Sequence, residues 1–456
     1  MTLNFSAYPL RNGCYSSGPL TILKQAAKEK LSDIMEVVLL ETGGRRAREH
    51  WEDFQVHNLL KHAVDRSAFW RRRIGGKPRS ALQSLPILSR QELRDQVASE
   101  GPLVGSADGT RTAVNVTSGS SGVPVRFHVC DFNANYNAMR NLAQYFIEGR
   151  DFSLKRTDVK ATTVSVKNGL SVARNPSWAG PLSNLIKSGP EKQIEYSVLN
   201  DRKVSLNLMN ELLKDDIGYL ACAPKVLDML SCTVELGFLK QVDTAMWICR
   251  AEGPASHLTD TFADLGIPVR QTYSSEEVGP IGYECPKFPG YFHVASSNVV
   301  VEVVDRNHAI NGTDLGRLLV THLHSYATPF IRYDLGDLAC LSEHCPCGHD
   351  GATIYNLHGR TSSIIKHRNG QLSPFMIRDK ELFGLADFTE YRTRQTGFEK
   401  LVMEVGGRSE LTNEEVATLT AFLRQQVGEE FSIEVKPRSQ IDWGESRKKH
   451  GFRCEI

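Results

Sequence analysis

The chain lacks most of the features that place a sequence quickly. No apolar run approaches the roughly 18 residues needed to span a bilayer. The opening MTLNFSAYPL carries neither the basic nor the continuous apolar stretch of a secretory leader. The expectation is a cytoplasmic protein without a membrane partner. Neither charge is in excess: 54 Lys and Arg against 53 Asp and Glu give a formal net charge of +1, which leaves no electrostatic footprint for nucleic acid. The 10 cysteines in 456 residues are scattered, apart from Cys345 and Cys347, which excludes a disulfide scaffold. There is no internal repeat and no low-complexity tract, so a solenoid is excluded too. Neither GxGxxG nor GxxxxGK[ST] occurs, which removes the two commonest phosphate-binding loops.

What remains is a chain with 41% apolar residues, enough for a sizeable core and two or three domains. Residues 1–100 read as mainly helical. LTILKQAAKEKLSDIMEVVLLE and WEDFQVHNLLKHAVDRSAFWRRR repeat apolar residues at i, i+3, i+4 and i+7, which assigns Trp51, Phe54 and Trp70 to a core. From 112 to about 340, β-branched runs (TAVNV, TTVSV, IGYLAC, TAMWIC, IPVRQTY, NVVVEVV, GRLLVTHL) alternate with helices such as APKVLDMLSCTVEL, the pattern of an α/β fold. After Gly359 and Arg360 comes a smaller α+β unit: the strand KLVMEVGG, a helix NEEVATLTAFLRQQVG capped by Thr412 or Asn413, and the strand FSIEVKP.

Directly after TAVNV stands TSGSSGVPV, residues 117–125. Gly119 and Gly122 let the backbone approach a ligand closely, and Thr117, Ser118, Ser120 and Ser121 add hydroxyl donors to free N–H groups. Such a loop suits a phosphate, and equally a plain polar turn. Further on come RAEGP (250–254), QTYSSEEVG (271–279), SYATPFIRYDLGD (ending at Asp337) and HGRTSSIIKHRNGQLSP. In this order the segments resemble the motifs of the adenylate-forming enzymes, and most of all the phenylacetate-CoA ligase family. The resemblance covers roughly residues 50–456.

That resemblance implies a large N-terminal α/β adenylation domain over 1–358, with β-sheets and flanking helices, a hinge at 359–363 and a small α+β lid over 364–456. It implies an AMP-forming ligase that joins a carboxylic acid to the α-phosphate of ATP, then passes the acyl group to a thiol, usually that of coenzyme A. The loop 117–125 then holds the outer phosphates. Tyr273 matches the aromatic that stacks on adenine, followed by Ser274 and Ser275. Glu277 matches the magnesium carboxylate, although Glu276 beside it competes for the inward position. Asp337 matches the acceptor of both ribose hydroxyls, Arg360 the junction arginine on the nucleotide, and Glu252 and Gly253 the far wall of the adenine slot, or a plain turn. Trp178, Tyr219 and Trp247 fall in the span 160–280 expected to line the acyl pocket; as core residues they carry no such meaning.

Spacing alone points to a metal. Cys285 and His293, eight apart, with Cys345 and Cys347 as CxC, make a Cys3His set suited to structural zinc; His344, His349 and Cys340 are the substitute ligands. The sequence also departs from the family. Val123 stands where the phosphate loop commonly has lysine, Glu276 replaces a Thr or Ser, and Ser362 replaces the hinge acid. The catalytic lysine near the C-terminus has two candidates, Lys449, the favoured one, and Lys448. These departures keep open an amine or carrier-protein acceptor, or a non-catalytic nucleotide-binding scaffold. A homodimer is left open.

Overall fold

The computed structural model describes residues 21–75, 81–104, 112–117, 125–162, 169–182, 191–199, 204–250, 253, 256–310, 313–360, 364–375, 377, 379–443 and 451–456. The N-terminal region is helical, as its periodicity predicts: α1 (Thr21–Thr42), α2 (Arg45–Arg66), α3 (Ala68–Ile74) and α4 (Arg90–Glu100). The second predicted helix is in fact two. Ser67 takes extended backbone and its hydroxyl accepts from the Trp70 amide at 3.3 Å, so it ends α2 and caps α3. Trp51 and Trp70 are buried as expected.

A hairpin follows, β1 (Thr112–Val116) antiparallel to β2 (Arg126–Cys130), and then the amphipathic α5 (Asp131–Ile147). The alternating region supplies β3 (Arg156–Thr162), β4 (Leu170–Asn175), β5 (Gln193–Leu199), α6 (Ser205–Leu212), β6 (Tyr219–Cys222), α7 (Pro224–Ser231), α8 (Phe238–Gln241), β7 (Met246–Cys249), α9 (Ser256–Asp264) and β8 (Val269–Ser275). Of the strand expected at TTVSV, Thr162 is the last described residue of β3, and residues 163–166 lie outside the described residues. Then come β9 (Gly279–Glu284), β10 (Phe292–Val294), β11 (Val299–Ile310), β12 (Thr313–His322), β13 (Tyr333–Ser342) and β14 (Thr353–Arg360).

Among the described residues these strands form one 12-stranded sheet in the order β11-β12-β13-β14-β10-β9-β8-β7-β6-β3-β5-β4. Its two halves differ. From β5 through β3, β6 and β7 to β8 the pairs are parallel, with helices as crossovers; from β8 to β11 they are all antiparallel. β8 is therefore the seam, and its C-terminal end opens where the topology changes, the usual place for a ligand crevice in an α/β sheet.

The C-terminal unit has β15 (Ile364–Lys366) paired with β16 (Leu372–Pro374), α10 (Asp379–Phe383), and a four-stranded sheet of β17 (Glu390–Gly397), β18 (Lys400–Gly406), β19 (Ser432–Arg438) and β20 (Phe452–Cys454), covered by α11 (Asn413–Val427). Thr412, one of the two expected caps, is the cap. Its hydroxyl accepts from the Glu415 amide at 3.1 Å and Glu415 returns the bond, a full capping box.

Candidate active site

The β1–β2 hairpin pinches the base of the hydroxyl-rich loop. Thr117 is buried, its amide donates to the Val125 carbonyl at 3.0 Å and its Oγ1 accepts from the Val125 amide at 2.9 Å. Ser118, Gly119, Ser120, Ser121 and Gly122 lie outside the described residues, as do Glu252, Lys448 and Lys449. Gly253 is exposed beyond the end of β7, and the Arg250 guanidinium before it pairs with Asp158 of β3 at 3.0 Å.

At the seam, Tyr273 near the end of β8 donates its hydroxyl to Asp337 Oδ2 at 2.5 Å, 64 residues away in sequence. The register explains the meeting. β9 and β10 link β8 to β14, β13 pairs with β14, and Asp337 faces Arg360 across that last pair. Arg360 thus sits on the strand next to Asp337. Ser274 is exposed, whereas Ser275 accepts at Oγ from the Val278 amide at 3.3 Å and braces the turn that follows.

In that turn the two neighbouring carboxylates separate: Glu276 is exposed and Glu277 is buried. The side chain of Glu277 is only 1% exposed, and its Oε1 accepts from Arg90 Nη2 at 2.7 Å and from the Tyr333 hydroxyl at 3.2 Å. Against the downward push of burial, Tyr333, Glu277 and Asp337 raise the Arg90 guanidinium above its ordinary pKa. Burial, reinforced by Glu277, raises the Tyr333 phenol. Arg90 therefore bonds to Glu277 and also feels the charge of Asp337. Arg90 and Tyr333 escaped the sequence reading. Arg90 did leave a signal: it is the first residue of α4, where a cation opposes the helix dipole and so calls for a carboxylate from elsewhere.

The acyl-pocket aromatics are core residues. Trp247 is fully buried among the apolar side chains of β5, β6 and α7. Trp178 stacks on Phe152 with centroids 4.4 Å apart and packs edge-on to Tyr219.

The metal-type set does assemble. One ligand atom each from Cys285, His293, Cys345 and Cys347 lies within 4.8 Å of all the others, and Cys347 Sγ is 3.4 Å from His293 Nε2. The cause is topology: Cys285 follows β9, His293 lies in β10, and β10 pairs with β14, whose connection to β13 carries the CxC. Tetrahedral zinc bonds of about 2.0–2.3 Å imply ligand separations of roughly 3.3–3.8 Å, so a small contraction would seat the ion. Burial lowers the His293 pKa, which favours the neutral imidazole a metal takes. His349 instead stacks on His293, its centroid 4.1 Å away. Cys340 contacts the Asp314 carbonyl and His344 lies exposed beside Asp350, so the substitutes are not needed. β9 has six residues, which places Cys285 roughly 20 Å from the Glu277 turn.

No family model matches the chain, and no curated protein matches its sequence. Solved structures do match. A 2-hydroxyisobutyryl-CoA ligase in the postadenylation state superposes with TM-score 0.61 at 16% identity, over 91% of each chain. The same ligase with 2-HIB-AMP and CoA in the thioesterification state gives 0.55, also at 16% identity, over 91% of this chain and 92% of that one. A GH3.15 acyl acid amido synthetase gives 0.51 at 12% identity, over 88% of this chain and 87% of that one. With the seam at β8, the Tyr273–Asp337 contact and the small C-terminal sheet in place, the chain has the fold of the adenylate-forming enzymes.

Proposed function

We propose that the chain is an ATP-dependent ligase of the phenylacetate-CoA ligase type. It activates a small carboxylic acid as the acyl adenylate, releases pyrophosphate, and passes the acyl group to a thiol, most simply that of coenzyme A. The observation that carries this reading is the meeting of Tyr273, Asp337, Arg90 and Glu277 at the end of β8. An aromatic face, an acceptor-only carboxylate and a buried acid beside a fixed cation match adenine, ribose and the metal-bound phosphates respectively.

The phosphate loop pinched at Thr117 would supply N–H and hydroxyl donors to the outer phosphates, and Arg360 and the Glu252–Gly253 segment would contact the nucleotide. Arg90 adds the positive charge that Val123 withholds from that loop. Magnesium, a hard cation suited to Glu277, would neutralise phosphate charge, in competition with Arg90 for the same carboxylate. Lys449, or Lys448, would meet the forming acyl-phosphate bond. The Cys285, His293, Cys345 and Cys347 set would hold a structural zinc tying the β9–β10 hairpin to the β13–β14 loop.

An amine acceptor is the second reading, favoured by the fold shared with an amido synthetase and by the departures at Glu276 and Ser362. Exchange of labelled pyrophosphate into ATP, run over a library of acids, tests the first half-reaction. Acid-dependent exchange supports the ligase; nucleotide binding with no exchange overturns it and leaves a binding scaffold. Coenzyme A and amines competing for the pre-formed adenylate decide the acceptor.

A further inference from the structure

The turn that carries Glu277 is gripped from behind by a side chain distant in sequence. From β8 the backbone passes through Val278 into Gly279, the first residue of β9, at φ +72°. Asn298, fully buried just before β11, lies against it, and its Nδ2 donates to the Val278 carbonyl at 2.9 Å and the Pro280 carbonyl at 2.6 Å. An amide NH2 offers two donors on one atom, so these two carbonyls fix which end of the amide faces the turn. Among the described residues, Asn298 Oδ1 is left buried without a hydrogen-bond partner. An orphaned buried acceptor is a penalty that a side chain selected for packing would not carry. The donors are what this position uses.

A second amide also stands against Gly279. A Cβ there would stand 3.3 Å from Asn137 Oδ1. Asn137 is itself fixed, donating to Asn133 Oδ1 at 2.8 Å and accepting from Arg140 Nη1 at 2.7 Å. Arg140, 1% exposed, also donates through Nε to Ser297 Oγ at 3.3 Å, next in sequence to Asn298. The Ser297 amide donates to Glu41 of α1 at 2.9 Å. The Glu277 turn thus touches two amides, one bonded to the buried Arg140 and the other next in sequence to a residue bonded to it.

We propose that Asn298 is a positioning residue for Glu277. By holding the carbonyls on either side of Gly279 it sets where the Glu277 carboxylate stands relative to Arg90 and the arriving nucleotide. The kinetic part rests on the ligase reading; the structural part does not.

Two substitutions separate a clamp from a packing role. Asn298→Asp keeps the shape but turns acceptors toward two carbonyls, whereas Asn298→Ala leaves space and no repulsion. A clamp makes aspartate the more damaging at pH 8, and packing alone makes alanine the more damaging. Hydrogen–deuterium exchange over residues 271–284 should be about tenfold faster in both variants, fastest in Asn298→Asp, with residues 390–406 unchanged. In pyrophosphate exchange the half-saturating magnesium concentration should rise about tenfold while KM for the acid stays within about twofold. In a Glu277→Gln background, Asn298→Ala should add less than about twofold, because the two act through one carboxylate. Unchanged hydrogen exchange, alanine more damaging than aspartate, or full additivity with Glu277→Gln overturns the proposal. If the parent enzyme shows no pyrophosphate exchange with any acid, the ligase reading fails and the hydrogen-exchange ranking alone decides the clamp.

Discussion

Arg90→Ala probes the centre of the site most directly. The Glu277 side chain is 1% exposed and that of Arg90 13%, so the pair is buried at the carboxylate and largely shielded at the guanidinium. Removing one member strands the other, which costs about 3–5 kcal/mol. The Tyr333 hydroxyl still donates to the same oxygen and offsets about 0.5–1.5 kcal/mol. The net expectation is a loss of about 2–4 kcal/mol from the large domain. Denaturant unfolding followed by tryptophan fluorescence suits the measurement, since Trp51, Trp70, Trp178 and Trp247 all precede Gly359 and only Trp443 follows it. Glu277→Gln in the same background removes the stranded charge and should restore most of the loss, a coupling that additive mutations would not show. Magnesium without nucleotide should protect Arg90→Ala more than the parent, because an unpaired carboxylate is the better ligand for a hard cation. A loss below about 0.5 kcal/mol, or strict additivity with Glu277→Gln, would refute the reasoning.

Asp337→Asn should weaken ATP and AMP binding by about 1.5–3 kcal/mol, the worth of hydrogen bonds to a charged group, with the fold intact; unchanged affinity by calorimetry removes the ribose assignment. Protein purified without chelator should carry about one zinc per chain, and Cys345→Ser with Cys347→Ser should lose it and melt earlier; elemental analysis finding no metal rejects the site. Burial, with Glu41 adding to it against a Ser296 hydrogen bond, raises the Glu52 carboxyl from 4.5 to about 7. The unfolded chain then ionises it first, so this group destabilises the fold increasingly from pH 4.5 to 7 and by a constant amount above. Glu52→Gln should therefore stabilise by about 2–3 kcal/mol at pH 8 and change little at pH 4, as urea midpoints at the two pH values will show. Lys449→Ala should slow pyrophosphate exchange by roughly one to three orders of magnitude yet still transfer a pre-formed acyl adenylate; the same pattern in Lys448→Ala instead would move the role to its neighbour.

The sequence was most legible where the physics is local. Thr412 three residues before Glu415 fixes a helix start through bonds within one turn. TAVNV becomes a strand residue for residue, and cysteines two apart can hardly avoid each other. The motif order singled out Tyr273 and Asp337 separately, and the fold brings them into contact, a pairing that no pattern within either segment encodes. Where neither aid applied, the reading failed. The helix periodicity ran on through Ser67 because a cap interrupts the backbone without interrupting the apolar stripe. Arg90 and Asn298 are ordinary polar residues in their own segments; what they do is set by partners 187 and about 20 positions away.

Under the ligase reading the C-terminal unit is a lid, and its packing beside the large sheet constrains how it can turn. Ile364 and Ile365 are neighbours on β15, so their side chains point to opposite faces, and they belong to different cores. Ile364 packs with Ile310, Leu315, Leu338 and Cys340 of the large sheet, whereas Ile365 packs with Leu401, Phe431 and Phe452 of the lid. A turn about 359–363 would pull Ile364 out of its cluster, and exposing such a side chain costs about 1.5–3 kcal/mol. A second contact would break with it: the Lys225 ammonium at the start of α7 lies 5.0 Å over the Tyr391 ring of β17, worth about 0.5–2 kcal/mol. That same ring abuts Gly451, where a Cβ would come within 2.9 Å of the Tyr391 hydroxyl, so the strand that follows the candidate lysines is seated at this contact. The two costs sum to about 2–5 kcal/mol, small enough for a ligand to supply through differential affinity and large enough that the lid would not turn unprompted in most molecules. Under the ligase reading, the adenylate itself is the ligand whose formation changes which orientation is favoured.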